Sequence, residues 1–236
     1  MFDRRVDDPD RERVPNMDAS GVTNRKCKST VPDEAVLSGG AAPAREVFPG
    51  VAVLEHLALR YSVGPKYLSE PAPSQAQLLQ AATVALRAPD HGGLAPFRFV
   101  QVGAHQRERL AELFAQDAAR RGHAADEVER ARRRAHNGPA LLALVGRIKP
   151  GVDDVPEHEQ WLCIGAGLMN FLNAMHLQGF GAKTLSGASV QDPVIRQAFC
   201  EPDEVLLAWI VAGTPTRSVH AKRADDVARA LTPWRG

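Results

Sequence analysis

One loop of this 236-residue chain holds several side chains that could do chemistry. It reads RAPDHGGLAPF from Arg87 to Phe97 and carries a guanidinium at Arg87 and an imidazole at His91. Proline and glycine interrupt it, so it has neither helical nor strand periodicity. Polar side chains on a loop between regular elements are typical of ligand contacts, because packing rarely requires them there. The loop is therefore our first candidate binding segment.

A second polar set, Arg60-Tyr61-Ser62, lies upstream, where a short helical pattern ends. An arginine and a hydroxyl two residues apart at a helix-to-loop junction can both donate to one phosphate. The two segments together predict a site for a large anionic cofactor. Taken alone, each residue has a simpler interpretation: Arg60 can stabilise the C-terminus of its own helix, and His91 can be an ordinary surface histidine.

The composition fits a globular domain with an extension. The formal net charge is +1, and no apolar run is long enough to span a bilayer, so we expect neither nucleic-acid nor membrane binding. The three cysteines lie far apart, and the eight histidines show no ligand spacing, so we predict no metal site and no disulfide framework. The N-terminus has no apolar core typical of a secretory signal, and a cytoplasmic location is expected.

An arginine-rich run at residues 130–134 is interleaved with Glu127 and Glu129. A solvated helix face is the better interpretation, because an RNA-binding patch would normally carry aromatic partners for the bases.

Residues 1–48 differ from the rest of the chain. They mix charges with scattered proline and glycine and show no apolar period, so they cannot bury enough surface to offset the entropy of ordering. We predict a disordered N-terminal extension at 1–48 and one domain at 49–236. A start upstream of the natural one, with Met17 as the later initiator, is the alternative.

Apolar periodicity predicts an α+β fold, with a mixed sheet of about four strands covered by five or six helices. Ser74 and Gln77 form a capping box that starts one helix, whose buried face is expected at Leu78, Leu79, Ala82 and Leu86. The other expected helices lie near 51–60, 105–121, 124–136, 156–178 and 193–199. The expected strands are 97–102, 140–145, a short one within 179–187, and 205–212, which stops at Gly213-Thr214-Pro215.

Four segments, in this order, resemble the nitroreductase family, and especially its small single-domain branch. The resemblance covers about residues 50–236. Its pieces are Arg60-Tyr61-Ser62, then Leu86 to His91 with Ala95-Pro96-Phe97, then Gln178 to Gly181, and finally Ala212 to Pro215. No single piece is specific, but their order and spacing make the signal strong.

The resemblance implies an FMN-binding homodimer with two cofactors at the subunit interface and with a fifth strand that the partner chain could add. Arg60, Tyr61 and Ser62 would hold the phosphate end and neighbouring atoms. Arg87 and His91 would reach the FMN, one of the two binding mainly the partner's cofactor. The isoalloxazine ring would be lined by Thr184, Leu185 and Ser186.

The same resemblance links one further segment to the nicotinamide nucleotide, and this segment reads equally well as the buried end of a long helix. Its residues are Ala174, Met175, His176, Leu177, Gln178 and Gly179.

The implied activity is an FMN-dependent oxidoreductase that transfers hydride from NAD(P)H through flavin N5 to a nitroaromatic, a quinone or a similar small acceptor. The cofactor would carry the chemistry, so no catalytic side chain is expected. The chain departs from the family pattern at Ala95-Pro96-Phe97, where many relatives have Gln-Pro-Trp, and at Thr184-Leu185, where the small branch can have Trp-Arg. These departures motivate an alternative, a low-turnover flavin-binding sensor or FMN carrier. A nucleic-acid binder is a third and less favoured hypothesis.

Overall fold

The computed structural model describes residues 50–217 and 227–235. The predicted extension at 1–48 lies outside the described residues.

Six α-helices and five β-strands make up the described part of the chain, and short single-turn helices connect several of them. In chain order the elements are α1 (Gly50–Ala58), β1 (Leu68–Ser69), α2 (Gln75–Ala85), β2 (Phe97–Gln101), α3 (Arg107–Arg120), α4 (Ala125–Arg133), β3 (Ala140–Gly146), α5 (Glu157–Leu177), β4 (Gly181–Leu185), α6 (Pro193–Phe199) and β5 (Val205–Pro215). The predicted α+β fold is confirmed, and all four predicted strands are present.

The sheet has the strand order β1-β5-β3-β2, and β4 also pairs with β5. Every ladder is antiparallel, and the parallel contribution is the single bridge between Ser62 and Ala182. The last strand ends at Pro215, within the predicted terminus Gly213-Thr214-Pro215. The strand continues through Thr214 and Pro215 because β1, which the sequence did not reveal, pairs with these two residues.

Two helical layers cover the two faces of the sheet. Side chains alternate along a strand, so Leu141 and Trp209 pack on the side of α3 and α6, whereas Leu142 and Ile210 pack on the side of α2 and α5. In the core on the side of α3 and α6, the ring of Phe114 packs against the ring of Trp209.

Helix α5 approaches the sheet closely at Gly167. A Cβ atom built at this position would lie 2.3 Å from Cζ of Phe97 on β2. Glycine costs a helix interior roughly 1 kcal/mol relative to alanine, and this close contact with β2 offsets that cost.

The other face of α5 is apolar yet exposed. Trp161 and Leu162 are 44% and 68% exposed, and Met169 and Leu177 share the same exposed side. Gly165 lies among them, and a Cβ atom added to it would have no neighbouring atom within 4 Å. A helix that is apolar all round is normally buried, so this face lacks its covering surface in the single chain.

The capping box that begins α2 is confirmed, since Ser74 Oγ accepts from the Gln77 amide and Gln77 Oε1 accepts from the Ser74 amide. The predicted buried face of α2 is wrong at Leu79 and Leu86, which are 58% and 53% exposed. The helix instead buries Leu78 with two alanines, Ala81 and Ala85, against α5, because small side chains allow the two helices to pack closely.

Most arginines of the basic run are paired with acids. Arg130 contacts Asp126 at 2.8 Å, Arg132 contacts Glu112, and Arg133 contacts Glu129. Within 50–217 and 227–235, no helix has the length and hydropathy needed to cross a membrane.

Candidate functional site

A cavity of about 300 Å³ lies between α1, the end of α5 and the start of β4. We call it the arginine cavity, because Arg60 and Arg217 both line it. Its complete lining is His56, Leu59, Arg60, Tyr61, Val63, Leu172, His176, Gly179, Phe180, Gly181, Ala182, Pro215 and Arg217. None of these described residues is acidic, so the cavity suits an anionic ligand.

The segment 60–63 is fixed along β4 by its backbone. Ser62 bridges Ala182, and the Val63 amide donates to the Ala182 carbonyl at 3.1 Å. Arg60 is thereby held at the cavity wall, where its Nε atom is buried and has no hydrogen-bond partner. A buried guanidinium N–H without an acceptor is costly, and a phosphate oxygen would satisfy it.

Arg217 was not among the predicted site residues. It follows the last core strand by two residues, so a cation two positions after Pro215 was the available signal. Its Cζ atom lies 3.4 Å from the centroid of the Tyr67 ring. Lys66 and, to a smaller extent, Arg217 lower the pKa of the Tyr67 phenol, and desolvation opposes them. The rim of the arginine cavity is therefore electropositive.

A second cavity, of about 370 Å³, lies beyond the other end of β4. Leu185 and Ser186 line it, together with Trp209, whose Nε1 atom is buried without a partner. The neighbouring Thr184 also has a buried hydroxyl without a partner. Of the residues predicted to line the flavin ring, Thr184 and Leu185 therefore lie on β4 and Ser186 follows its end. Thr184 is the one of these three with an unsatisfied buried donor.

The segment predicted to bind nicotinamide nucleotide divides into two parts. Ala174 and Met175 are buried in the core, and Leu177 is exposed on the outer face of α5. His176 and Gly179 line the arginine cavity.

The His176 imidazole is oriented by α1. Its Nε2 atom donates to the His56 carbonyl at 2.8 Å, because a carbonyl oxygen only accepts. In the same predicted segment, Gln178 donates to the Gln77 carbonyl at 3.3 Å while its Oε1 atom has no partner.

Asp90 shapes the loop from Arg87 to Phe97. Its carboxylate accepts from the amides of Leu94 and Ala95 at 3.1 and 2.8 Å. Gly92 adopts a φ of 77°, which glycine allows without steric cost. Within this loop His91 Nδ1 lies 2.8 Å from Oε2 of Glu159, so the imidazole is held at the N-terminal end of α5.

The structure does not bring His91 to Arg60 within one chain. Glu159 and His176 lie at opposite ends of α5, and 17 residues at a rise of 1.5 Å separate them by about 25 Å. Arg87 follows α2, which runs from Gln178 towards Asn170 and so leads away from the arginine cavity. Arg87 is exposed. The two predicted parts of the FMN site are therefore separate in the monomer.

Among the described residues, no group of three His, Cys, Asp or Glu side chains is arranged to hold a metal ion. Cys163 is buried, and burial raises the pKa of its thiol.

The family model and the curated relatives that match this chain are all nitroreductases. The sequence profile of the nitroreductase family matches residues 57–214. A putative NAD(P)H nitroreductase, YdjA, from Escherichia coli (strain K12) is 32% identical over 149 residues, covering 63% of this chain and 81% of YdjA. A putative NAD(P)H nitroreductase from Haemophilus influenzae is 31% identical over 150 residues, covering 63% of this chain and 82% of its own.

Solved structures share the fold. A nitroreductase-like family protein from Bacillus cereus superposes with a TM-score of 0.63 at 16% identity, covering 78% of this chain and 96% of its own. A putative nitroreductase from Desulfovibrio desulfuricans, solved in complex with FMN, gives a TM-score of 0.58 at 19% identity, with coverages of 77% and 97%.

The family match and the named relatives, on a fold that the solved structures share, identify a flavin oxidoreductase of the nitroreductase type. The chain belongs to the nitroreductase family.

Proposed function

We propose that this protein is an FMN-dependent, NAD(P)H-oxidising reductase of small electron acceptors such as nitroaromatics or quinones. The observation that carries the proposal is the buried, unpartnered Nε of Arg60 in a cavity whose described lining has no acidic residue. The names of the relatives support NAD(P)H as the reductant, and the FMN complex of a structural neighbour supports the cofactor. A cytoplasmic location stays a prediction.

The residues present fit FMN at both of its ends. Arg60 would donate to the phosphate from the cavity wall. Ser62, which is exposed and outside the cavity lining, would donate from the adjoining surface beside Ala182. Thr184 on β4 and Ser186 just after the end of β4 would contact the ring end. The orphaned hydroxyl of Thr184 supports this role, since a flavin heteroatom would give it the partner that the protein lacks.

We further propose a homodimer in which α5 packs against its symmetry mate. A two-fold axis makes an interface self-complementary, and two antiparallel α5 helices would place the N-terminal end of one beside the C-terminal end of the other. The partner's copies of Arg87 and His91 would then reach the arginine cavity. The exposed apolar face around Gly165 supports this arrangement, because a second α5 would supply the missing covering surface.

When bound, FMN supplies hydride acceptance and hydride donation. The chain's own residues then act by binding and electrostatics. Arg60 fixes the cofactor through a charge-assisted contact. Oriented donors such as the Thr184 hydroxyl fix the ring edge, and their alignment needs no reorganisation during the reaction. His176, oriented by His56, offers an imidazole at the cavity for the NAD(P)H-binding role predicted for its segment.

The proposal is tested by reconstitution followed by rapid mixing. The purified protein should be yellow or should become yellow with FMN, and mixing with NADH or NADPH without oxygen should bleach the visible absorption band of the flavin. A nitroaromatic or a quinone should restore the band. Flavin that stays oxidised with both nucleotides would remove the reductase and favour the sensor or carrier alternative.

A matched pair of variants shows whether the arginine cavity is the site. Arg60→Ala should weaken FMN binding by about 1.5–3 kcal/mol, the typical contribution of a charged hydrogen bond. Arg109→Ala removes the same charge at a position outside this cavity and should leave FMN affinity unchanged. Equal affinities for both variants would place the cofactor elsewhere.

A further inference from the structure

The side chains of His91 and Glu159 form a hydrogen bond between two segments that lie 68 residues apart in the sequence. The two bonded atoms, Nδ1 of His91 and Oε2 of Glu159, are 2.8 Å apart. An ionised carboxylate only accepts, so Nδ1 carries the proton of this bond. In a neutral imidazole the other ring nitrogen, Nε2, is then an acceptor. The His91 side chain is 55% exposed, so a ligand can reach Nε2.

Both ends of this bond belong to fixed backbone. On the loop, a Cβ atom added to Gly92 would lie 3.0 Å from Cγ2 of Val155, a buried residue two positions before α5. At the start of α5, the Gln160 amide group bonds both the amide and the carbonyl of Lys149, at 2.8 and 2.9 Å. Exposed pairs between mobile side chains contribute little, but here the two segments are held together before their side chains meet. The bond can therefore orient the imidazole.

We propose that Glu159 is a positioning residue that fixes the Nδ1–H tautomer of His91, and that His91 therefore recognises an N–H group of the flavin ring and not the phosphate. The inference rests on the proposed function, because the flavin is the FMN bound mainly by the partner subunit. A phosphate oxygen needs a donor such as a guanidinium, whereas Nε2 in this tautomer offers a lone pair. The oxidised isoalloxazine ring has one N–H group, at N3, and this group is the donor that suits Nε2.

Nitrogen NMR of the apoprotein tests the tautomer without any flavin. Isotope-labelled histidine gives different shifts for protonated and unprotonated ring nitrogens, and His91→Gln assigns His91 among the eight histidines. At about pH 8, where an ordinary imidazole is neutral, wild type and Glu159→Gln should show the proton on Nδ1, because glutamine keeps an acceptor oxygen. Glu159→Ala should give a mixture of both tautomers. A wild-type His91 with its proton on Nε2 would overturn the proposal.

Flavin affinities test the recognition itself. We would titrate the full-length apoprotein with FMN and with riboflavin, which lacks the phosphate, and follow the quenching of flavin fluorescence. His91→Ala should weaken the binding of both flavins by the same factor, about two- to tenfold, the contribution of one neutral hydrogen bond. Arg60→Ala should weaken the binding of FMN alone. A loss confined to FMN in His91→Ala would assign the imidazole to the phosphate and contradict the inference.

An FMN methylated at N3 identifies the recognised group. Methylation removes the ring N–H, so the wild-type protein should bind the methylated cofactor more weakly than FMN. The factor lost should be at least about twofold smaller in His91→Ala, because the contact is already absent there. An equal factor in wild type and in His91→Ala would show that His91 does not contact this N–H group.

Glu157→Ala is the matched control for Glu159→Ala. Both glutamates lie in the first turn of α5 and interact alike with the helix dipole, but only Glu159 contacts His91. Glu159→Ala should weaken the binding of both flavins about two- to fivefold, Glu159→Gln should restore most of that loss, and Glu157→Ala should bind as wild type does.

A double variant separates positioning from a direct contact. Combining Glu159→Ala with His91→Ala should cost no more affinity than His91→Ala alone, because Glu159 acts through the imidazole. Additive losses would mean that Glu159 acts on the flavin by another route, and they would contradict the positioning role.

The outcomes for the inference and for the proposed function are distinct. A wild-type protein that binds neither flavin overturns both. A wild-type protein that binds FMN, with both flavin affinities unchanged in His91→Ala, overturns the inference alone and leaves the proposed function standing. Thermal unfolding of each apoprotein variant separates a lost contact from a damaged fold.

Discussion

Several buried polar side-chain atoms have no hydrogen-bond partner within the chain, and a ligand could supply one. Arg60 Nε, Thr184 Oγ1 and Trp209 Nε1 are each buried without a hydrogen-bond partner. Most buried polar groups in proteins are paired, and these three lie beside the two cavities or on the strand between them. Arg60 and Thr184 favour a ligand beside β4, whereas Trp209 lies on the opposite face of the sheet from Thr184, because Thr184 pairs with Ile210 rather than with Trp209.

Thr184→Val tests this interpretation at the scale of one hydroxyl. The variant removes an unsatisfied polar atom, so the apoprotein should be as stable as wild type or more stable, by up to about 1 kcal/mol. FMN affinity should fall about two- to tenfold, the value of one neutral hydrogen bond. Chemical denaturation and flavin titration measure the two effects.

Thr214→Val is the control for that prediction. Thr214 Oγ1 donates to the Pro71 carbonyl at 2.8 Å, so its loss should destabilise the apoprotein by about 1 kcal/mol without changing FMN affinity. If Thr184→Val destabilised the apoprotein as much as Thr214→Val, the hydroxyl of Thr184 would have a partner within the chain.

At the scale of elements, α5 contains two glycines with opposite surroundings. A Cβ at Gly167 would overlap Phe97, whereas a Cβ at Gly165 meets nothing within 4 Å. Gly167 therefore serves the fold of one chain. Gly165 lies on the exposed apolar face, where a second helix can approach.

Alanine at the two positions should act differently. Gly167→Ala should lower the free energy of unfolding by about 1–3 kcal/mol through overpacking. Gly165→Ala should raise the stability of the monomeric fold by about 0.5–1 kcal/mol and weaken self-association. Denaturant unfolding and sedimentation velocity measure these changes. A Gly165→Ala protein with unchanged dimer affinity would show that α5 helices do not pass closely at this point.

An ionic cluster around the buried carboxylate of Glu204 connects the start of β5 to the end of α6. Glu204 accepts from Arg98 at 2.8 and 2.6 Å and from the Glu201 amide at 2.9 Å. Arg98 also donates to the Phe199 carbonyl at 2.7 Å. The Arg98 hydrogen bonds, reinforced by the Glu201 amide, lower the pKa of Glu204 from 4.5 to about 2, although desolvation opposes them.

The lowered pKa of Glu204 predicts acid sensitivity. Its carboxylate is more acidic in the folded state, so its contribution is present above pH 4.5 and is lost as the pH falls towards about 2. The whole contribution is at most about 3 kcal/mol. Glu204→Gln should flatten the dependence of unfolding free energy on pH across this interval.

Asp203→Asn is the comparison for Glu204→Gln. Asp203 also pairs with an arginine, Arg147, but its side chain is 61% exposed, and exposed pairs contribute little. The acid dependence of Asp203→Asn should match that of wild type. An unchanged acid profile in Glu204→Gln would instead remove this cluster as the source of acid sensitivity.

For the whole molecule, the separation of His91 from Arg60 along α5 sets the expected assembly. About 25 Å of helix lies between the parts of the predicted site. Under the proposed function each chain would carry two half-sites, and the proposed dimer would complete both of them.

Subunit mixing tests this assembly directly. Arg60→Ala and Arg87→Ala should each weaken FMN binding at both sites of their own homodimers. After exchange of subunits, about a quarter of all sites should regain wild-type affinity, because each mixed dimer combines one intact site with one doubly altered site. No recovery after verified exchange would place both arginines in a site of one chain, or Arg87 in none.

The sequence predicted local structure well where the decisive interactions are local. The capping box at Ser74 and Gln77 needs only four consecutive residues, and it is present. Leu79 and Leu86 were assigned to the buried face wrongly, because hydrophobicity alone does not reveal that a neighbouring helix requires alanines on the contacting side. Strand β1 was missed because two residues carry no periodicity, and only their pairing with β5 defines them.

Residue types and their order along the chain determined the family, the α+β class and the polar segments at 60–62, 87–91 and 184–186, because these signals are carried by residues close in sequence. Tertiary structure alone decided which of them meet. It joined Arg60 to β4 and brought Arg217 to the same cavity from the far end of the chain, and it held His91 at the opposite end of α5. Such contacts depend on strand pairing and helix length over more than a hundred residues, which no local pattern specifies.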